Sequence, residues 1–131
     1  MRYMLDTNIC IYALKKSPPV LRRLSSLDDG DAVISSITQA ELEFGVQNSV
    51  RKDQNAVALA LFLSAFTILP FDSAASAVYG TIRADLKSKG TPIGPMDMLI
   101  AAHAMSENLV LVTNNTKEFE RVCNLKLENW A

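Results

Sequence analysis

Cysteine is scarce in this chain: Cys10 and Cys123 stand alone among 131 residues, neither in C-x-x-C spacing nor beside a histidine. That excludes a disulfide framework and a thiolate zinc site, and it predicts two small buried apolar side chains. Charge of one sign is also lacking, because 13 Lys+Arg face 14 Asp+Glu for a net charge of −1. A strongly basic nucleic-acid-binding domain is therefore excluded, although a local basic stripe is not. No apolar run reaches the ~18 residues of a membrane span. The opening MRYMLDTN has no long apolar stretch of the secretory type, so the expected location is the cytoplasm. Aromatic residues make up only 7% and show none of the clustering of a base-stacking platform.

What is present is apolar material, 49% of the chain against 21% charged, which excludes disorder. At this length, residues 1–131 read as one domain, because two would each have too little core. Short β-like runs alternate with longer helical ones, the order of a parallel sheet covered by helices on both faces. The expected class is α/β, with a central sheet of four to five strands.

Residues 2–5 form a short apolar run that ends at Asp6-Thr7-Asn8, followed by a helix marked by Ile9, Ile11, Tyr12 and Leu14. Pro18 and Pro19 suit a second helix start, and Asp28-Asp29-Gly30-Asp31 makes a turn before a strand over 32–35. Ser36 and Gln39 have capping-box spacing, which predicts a helix carrying Glu41 in its second turn. Residues 54–66 are too apolar for a solvated helix and should pack on the sheet or on a partner. A third strand is expected over 67–71. Asp72 caps a long helix with Ala74, Val78, Ile82 and Leu86 at intervals of four, closed by Gly90. Pro95 opens a helix over 96–108 with Asp97 in its first turn, where the helix dipole favours a carboxylate. A strand over 109–113, a short helix near 117–122 and a last strand near 125–127 complete the chain.

In such a sheet, ligands bind beyond the carboxyl ends of the strands, where strand order reverses. Asp6, Glu41, Asp97 and Asn115 could converge there from four distant segments. Clustered carboxylates repel one another unless cations or protons neutralise them, and hard oxygen ligands without Cys or His favour Mg²⁺, or Mn²⁺ in its place. Such a site suits phosphodiester hydrolysis by metal-activated water. Each residue also has a plainer reading, since Asp6 and Asp72 are natural helix caps and Asp97 answers a helix dipole. His103 lies ~120° around its helix from Asp97 and reads as a packing or surface residue. Met96, Met98 and Met105 read as core or interface. Two basic clusters, Arg83/Lys87/Lys89 and Lys15/Lys16/Arg22/Arg23, are dipole partners on solvated faces or contacts for an RNA backbone.

Taken together, these blocks resemble the PIN-domain ribonucleases of the VapC type, the toxins of bacterial toxin–antitoxin pairs. The matching segments are Met4-Leu5-Asp6-Thr7-Asn8, Ile34 to Thr38 leading to Glu41-Leu42 and Gly45, and Pro92 to Pro95 before Asp97 and Ile100 to Ala104. Leu111-Val112-Thr113-Asn114-Asn115 and Glu118-Phe119 follow. No single block is specific, but their order and spacing over nearly the whole chain are. The resemblance implies an Mg²⁺-dependent endoribonuclease that cuts structured RNA, often tRNA, and is held inactive by a cognate VapB-like antitoxin. It also implies a homodimer, and residues 54–66 are a candidate either for that interface or for the antitoxin groove. By the same resemblance Asp6 and Asp97 are the principal metal ligands, Glu41 is the third acid, and Asn8 and Thr113 support the cluster. Where many relatives carry a fourth acid, this chain has Asn115, which leaves Glu118 or Glu120 to contribute.

A phosphoacceptor signalling module is the main non-nuclease alternative. It calls for paired acids after the first strand and a lysine after the last core strand. Here Thr7-Asn8 and Asn114 occupy those positions.

Overall fold

The first apolar run pairs on both sides. In the computed structural model, which describes residues 1–131, Tyr3–Leu5 (β1) is the centre of a five-stranded parallel sheet. Thr7–Leu14 (α1) and Pro18–Ser25 (α2) follow, and Ala32–Ser35 (β2) then pairs with β1 in the register Tyr3 to Ala32. Ser36–Gln47 (α3), Lys52–Leu63 (α4) and Thr67–Leu69 (β3) extend the sheet to one edge. Ser73–Lys89 (α5) and Pro95–Ser106 (α6) then return the chain to the other side of β1, where Val110–Val112 (β4) pairs with it. Thr116–Phe119 (α7) and Leu127–Glu128 (β5) finish the sheet in the order β3-β2-β1-β4-β5. Strand order therefore reverses between β1 and β4, with Asp6 and Thr113 just past the two strand ends.

The strands are short, but their alternation builds two cores. Met4, Val33 and Leu111 face one side and meet Ile82, Leu86, Ile100 and Phe119. Tyr3, Leu5, Ile34 and Val112 face the other and meet Ile9, Val20, Leu42 and Trp130. Side chains of a strand point to opposite faces in turn, so a three-residue strand buried on both sides must be apolar throughout. Each such burial stabilises the fold by roughly 1.5–3 kcal/mol.

Several boundaries moved for identifiable reasons. The cap of α3 is Ser35, whose Oγ accepts from the Ile37 amide at 3.1 Å. Ser36, expected in that role, instead accepts from the Phe71 amide and ties α3 to the segment after β3. Asp72 does cap α5 through the Ala75 amide, and Gly90 ends that helix at φ 69°, a left-handed conformation glycine adopts at no steric cost. Of the expected stripe on α5, Ile82 and Leu86 are buried and Val78 half-buried, but Ala74 faces solvent while Ala75 points inward. Of α4 only Leu59 is buried, so of the two expectations, sheet or partner, packing on the sheet is not what most of its apolar residues do; Val57 and Leu61 are exposed, as is Phe44 on α3. Cys10 is buried, but Cys123 is exposed in the loop before β5, contrary to the expectation for it. Met98 is core, whereas Met96 is exposed in the first turn of α6. No helix is long and apolar enough to cross a membrane.

Candidate functional site

The crevice beyond β1 and β4 is built from strand ends and helix starts. Asp6 is drawn in by its own backbone, because its amide donates to Val112 O at 3.0 Å and so continues the β1–β4 ladder by one bond. Its Oδ1 accepts from the Ile9 amide at 2.9 Å and caps α1. Asp6 is thus both a cap and a buried acid at the reversal point. Burial raises its pKa, hydrogen bonds from Thr113 and the Ile9 and Asn8 amides oppose that, and the charge of Glu41 adds to the rise.

Glu41 is half-buried on the second turn of α3, and Thr7 Oγ1 donates to its Oε1 at 2.6 Å. That bond ties the start of α1 to α3 and fixes the carboxylate. Asp97 lies in the first turn of α6 after Gly94, whose backbone runs close to the carboxylate: a Cβ there would meet Asp97 Oδ2 at 3.4 Å, an ordinary van der Waals distance. The Asp97 pKa is pushed up to about 7, chiefly by burial, then by the charge and hydrogen bond of Glu118, then by the charges of Asp6 and Glu41. Asp6, Glu41 and Glu118 therefore all act on Asp97.

Glu118 is the residue that sequence reasoning offered only as one of two substitutes. Its Oε1 accepts from the Gly94 amide at 3.0 Å and its Oε2 from the Asn115 side chain. Those bonds, the first above all, hold its pKa below the ordinary value. Contact between the two carboxyl groups raises the pKa of Asp97 and lowers that of Glu118, so of the two Asp97 is the one that takes up a proton first. Asn115, in the position of a fourth acid, orients Glu118 one turn further on, while Glu120 is exposed. A spacing of three across the start of a short helix was the available signal. Thr113 is buried, and its hydroxyl also accepts from the Asn115 amide at 3.0 Å. The Asn8 side chain is exposed and reaches Asn114 rather than an acid; Asn114 in turn donates to Tyr12.

The donor set suits a hard divalent cation, being oxygen throughout, and the charges of Glu118, Asp6 and Glu41 that help raise the pKa of Asp97 are the repulsion such a cation relieves. Each acid is held by its own neighbours, and no three of them are drawn into a ready-made ligand cage. Next to Glu41 runs an apolar groove between α1, α3 and α4, lined by Ile11, Leu14, Leu42, Val46 and Leu59, with Lys15 at its edge.

Comparison with known proteins agrees with this geometry. A family model described as PIN domain matches residues 3–125. The chain is 44% identical over 131 residues to the tRNA(fMet)-specific endonuclease VapC of Shigella flexneri, covering 100% of this chain and 99% of that one. It is 49% identical over 132 residues to Ribonuclease VapC2 of Rickettsia felis, covering 99% and 98%. Its fold superposes with a TM-score of 0.95, at 47% identity and full coverage of both chains, on a chain of the crystal structure of VapBC2 from Rickettsia felis bound to a DNA fragment from their promoter. PIN-domain ribonucleases are in general dependent on divalent metal. A buried aspartate at the reversal of a parallel sheet, facing acids from three helices, is here joined to full-length likeness in sequence and fold, and the chain belongs to the PIN-domain family as a ribonuclease of the VapC type.

Proposed function

We propose that this ribonuclease is the toxin of a toxin–antitoxin pair, that its substrate is tRNA, and that it hydrolyses a phosphodiester bond at Asp6, Glu41 and Asp97 with Mg²⁺. Mn²⁺ is a chemical substitute with the same ligand preference. The observation that carries the reading is the convergence on one crevice of Asp6, Glu41 and Glu118 around Asp97, whose pKa burial and their charges push up to about 7. Asp6 and Asp97 would hold the cation, with Glu118 beside Asp97 in place of the missing fourth acid. When bound, a divalent cation supplies the positive charge that lowers the pKa of a water and offsets charge gathering on the phosphate. Asp97 would hold the cation in its ionised form, and the Gly94 amide and the Asn115 side chain hold Glu118 in place beside it. Thr7 aims Glu41, which can then orient a water or receive its proton. Thr113 and Asn8 support the cluster, the first through Asp6 and the second through its backbone amide.

The tRNA substrate is suggested by the Shigella relative, named for cleavage of tRNA(fMet). A VapB-like antitoxin is suggested by the VapBC2 assembly. The apolar groove beside Glu41 and the exposed Phe44, Val57 and Leu61 support a protein partner on α3 and α4. The same α4 surface is an alternative seat for a homodimer. Action on tRNA places the proposed activity in the cytoplasm.

The test is cleavage of total bacterial RNA by wild type, Asp6→Asn and Asp97→Asn, each with Mg²⁺ and with EDTA, resolved on a sequencing gel. Discrete tRNA fragments from wild type with metal alone are expected. Metal-dependent cutting by either variant at the wild-type rate rules out the assigned residues.

A further inference from the structure

His103 takes no part in the chemistry above, yet it is fully buried on α6, six residues beyond Asp97. Its ring stands edge-on to Phe71 with centroids 5.5 Å apart. Its Nδ1 lies 2.7 Å from Ser35 Oγ, and the same Oγ accepts from the Ile37 amide as the cap of α3. Ring and hydroxyl share one hydrogen bond whose direction follows the ring tautomer, since Ser35 Oγ has one proton to give and a second lone pair beside the one that takes the amide. Burial lowers the pKa against the opposing charges of Glu107 and Asp72, which keeps the ring neutral. Nε2 has no protein partner, and a buried polar atom left alone costs about 1–3 kcal/mol, so packing by itself gives no reason for an imidazole here.

The bond does have a geometric consequence. Helix α6 carries Asp97 in its first turn and α3 carries Glu41 one turn past Ile37, and the charge of Glu41 contributes to the raised pKa of Asp97. Apolar packing between two helices bearing like charges tolerates small slides, whereas a buried hydrogen bond is directional. The His103–Ser35 bond is the hydrogen bond that joins α6 to the β2–α3 corner. We infer that His103 is a positioning residue that, through Ser35, sets the Glu41 helix against the Asp97 helix and so fixes the spacing of the carboxylates that receive the cation. This rests on the metal-binding role proposed above for those carboxylates.

The test compares His103→Leu, which fills the space but forms no hydrogen bond, with His103→Asn, whose amide can donate or accept in place of Nδ1 but leaves a larger void. Mn²⁺ affinity by calorimetry, melting temperature in EDTA, and kcat and KM for tRNA cleavage are measured on each. Expected is about 10-fold weaker Mn²⁺ binding and a lower kcat at unchanged KM for His103→Leu, as for loss of an outer-shell partner. His103→Asn should recover most of the Mn²⁺ affinity despite melting lower than His103→Leu. Wild-type affinity in His103→Leu, or affinities that follow the melting temperatures, overturns the inference. Should His103→Leu not fold, Ser35→Ala and Ser35→Thr decide it, with loss expected in the first and recovery in the second; equal affinities in that pair reject it. If wild type binds no Mn²⁺, the metal-site proposal fails and this inference with it, whereas wild-type binding that is indifferent to these substitutions removes this inference alone.

Discussion

Replacing Asp97 by Asn should stabilise the metal-free protein at neutral and alkaline pH while abolishing its cleavage of RNA. A carboxyl whose pKa is about 7 in the folded chain against an ordinary 3.8 binds its proton more tightly when folded. The folded state then holds more protons than the unfolded one between about pH 4 and 7, so stability falls as pH rises through that window and stays reduced above it. Taken at face value, the difference corresponds to roughly 4 kcal/mol. Asp97 is only half-buried, and solvent screening reduces that figure to ~1–2 kcal/mol. For a chain of this length the gain amounts to roughly 3–8 °C in melting temperature. Asparagine keeps the shape and can still donate to Glu118, so the substitution removes the charge and little else.

The assay is calorimetric melting of wild type and Asp97→Asn in EDTA from pH 5 to 8, read as the difference between the two proteins at each pH. His103, whose lowered pKa tilts wild-type stability the opposite way below about pH 6.5, cancels in that difference. The stabilisation should be small at pH 5 and largest at pH 8. A difference that is flat with pH, or an Asp97→Asn protein that melts lower at pH 8, refutes the idea that the carboxylates are crowded against one another.

Three further outcomes are expected. Glu118→Gln should weaken Mn²⁺ binding by about 10-fold in calorimetry, with Glu120→Gln unchanged, since only Glu118 reaches Asp97; equal effects would place neither at the metal. Asp72→Ala should cost ~1 kcal/mol in denaturant unfolding through loss of the α5 cap, without changing cleavage at saturating metal. In the native protein a thiol reagent should modify Cys123 and spare Cys10, whose buried thiol has its pKa pushed far up, and both should react in denaturant.

Much of the fold is legible along the chain because its signals are local. The second strand stood out between an acidic turn and a serine pair, and the caps at Asp6 and Asp72, the proline at the start of α6 and the glycine after α5 each act within a few residues. Boundary choices between adjacent equivalents were not legible. Ser35 and Ser36 have the same chemistry, and which one caps α3 was decided by Phe71 and His103, residues that only the tertiary fold brings near. The exposure of Cys123 and of most of α4 was likewise beyond local pattern, because composition alone does not say which apolar surface a monomer leaves uncovered.

The sequence by itself determined the class of the fold, through the alternation of short apolar runs with helical periods, and it marked Asp6, Glu41 and Asp97 by their places at strand ends and helix starts. The choice of Glu118 over Glu120, the support given by Thr7 and Asn115, and the burial of His103 against Ser35 belong to the tertiary structure. The physical reason is distance along the chain. A cap or a turn is settled among near neighbours, whereas Thr7 and Glu41 are 34 residues apart, Gly94 and Glu118 are 24 and Ser35 and His103 are 68, and only the parallel sheet makes such pairs adjacent.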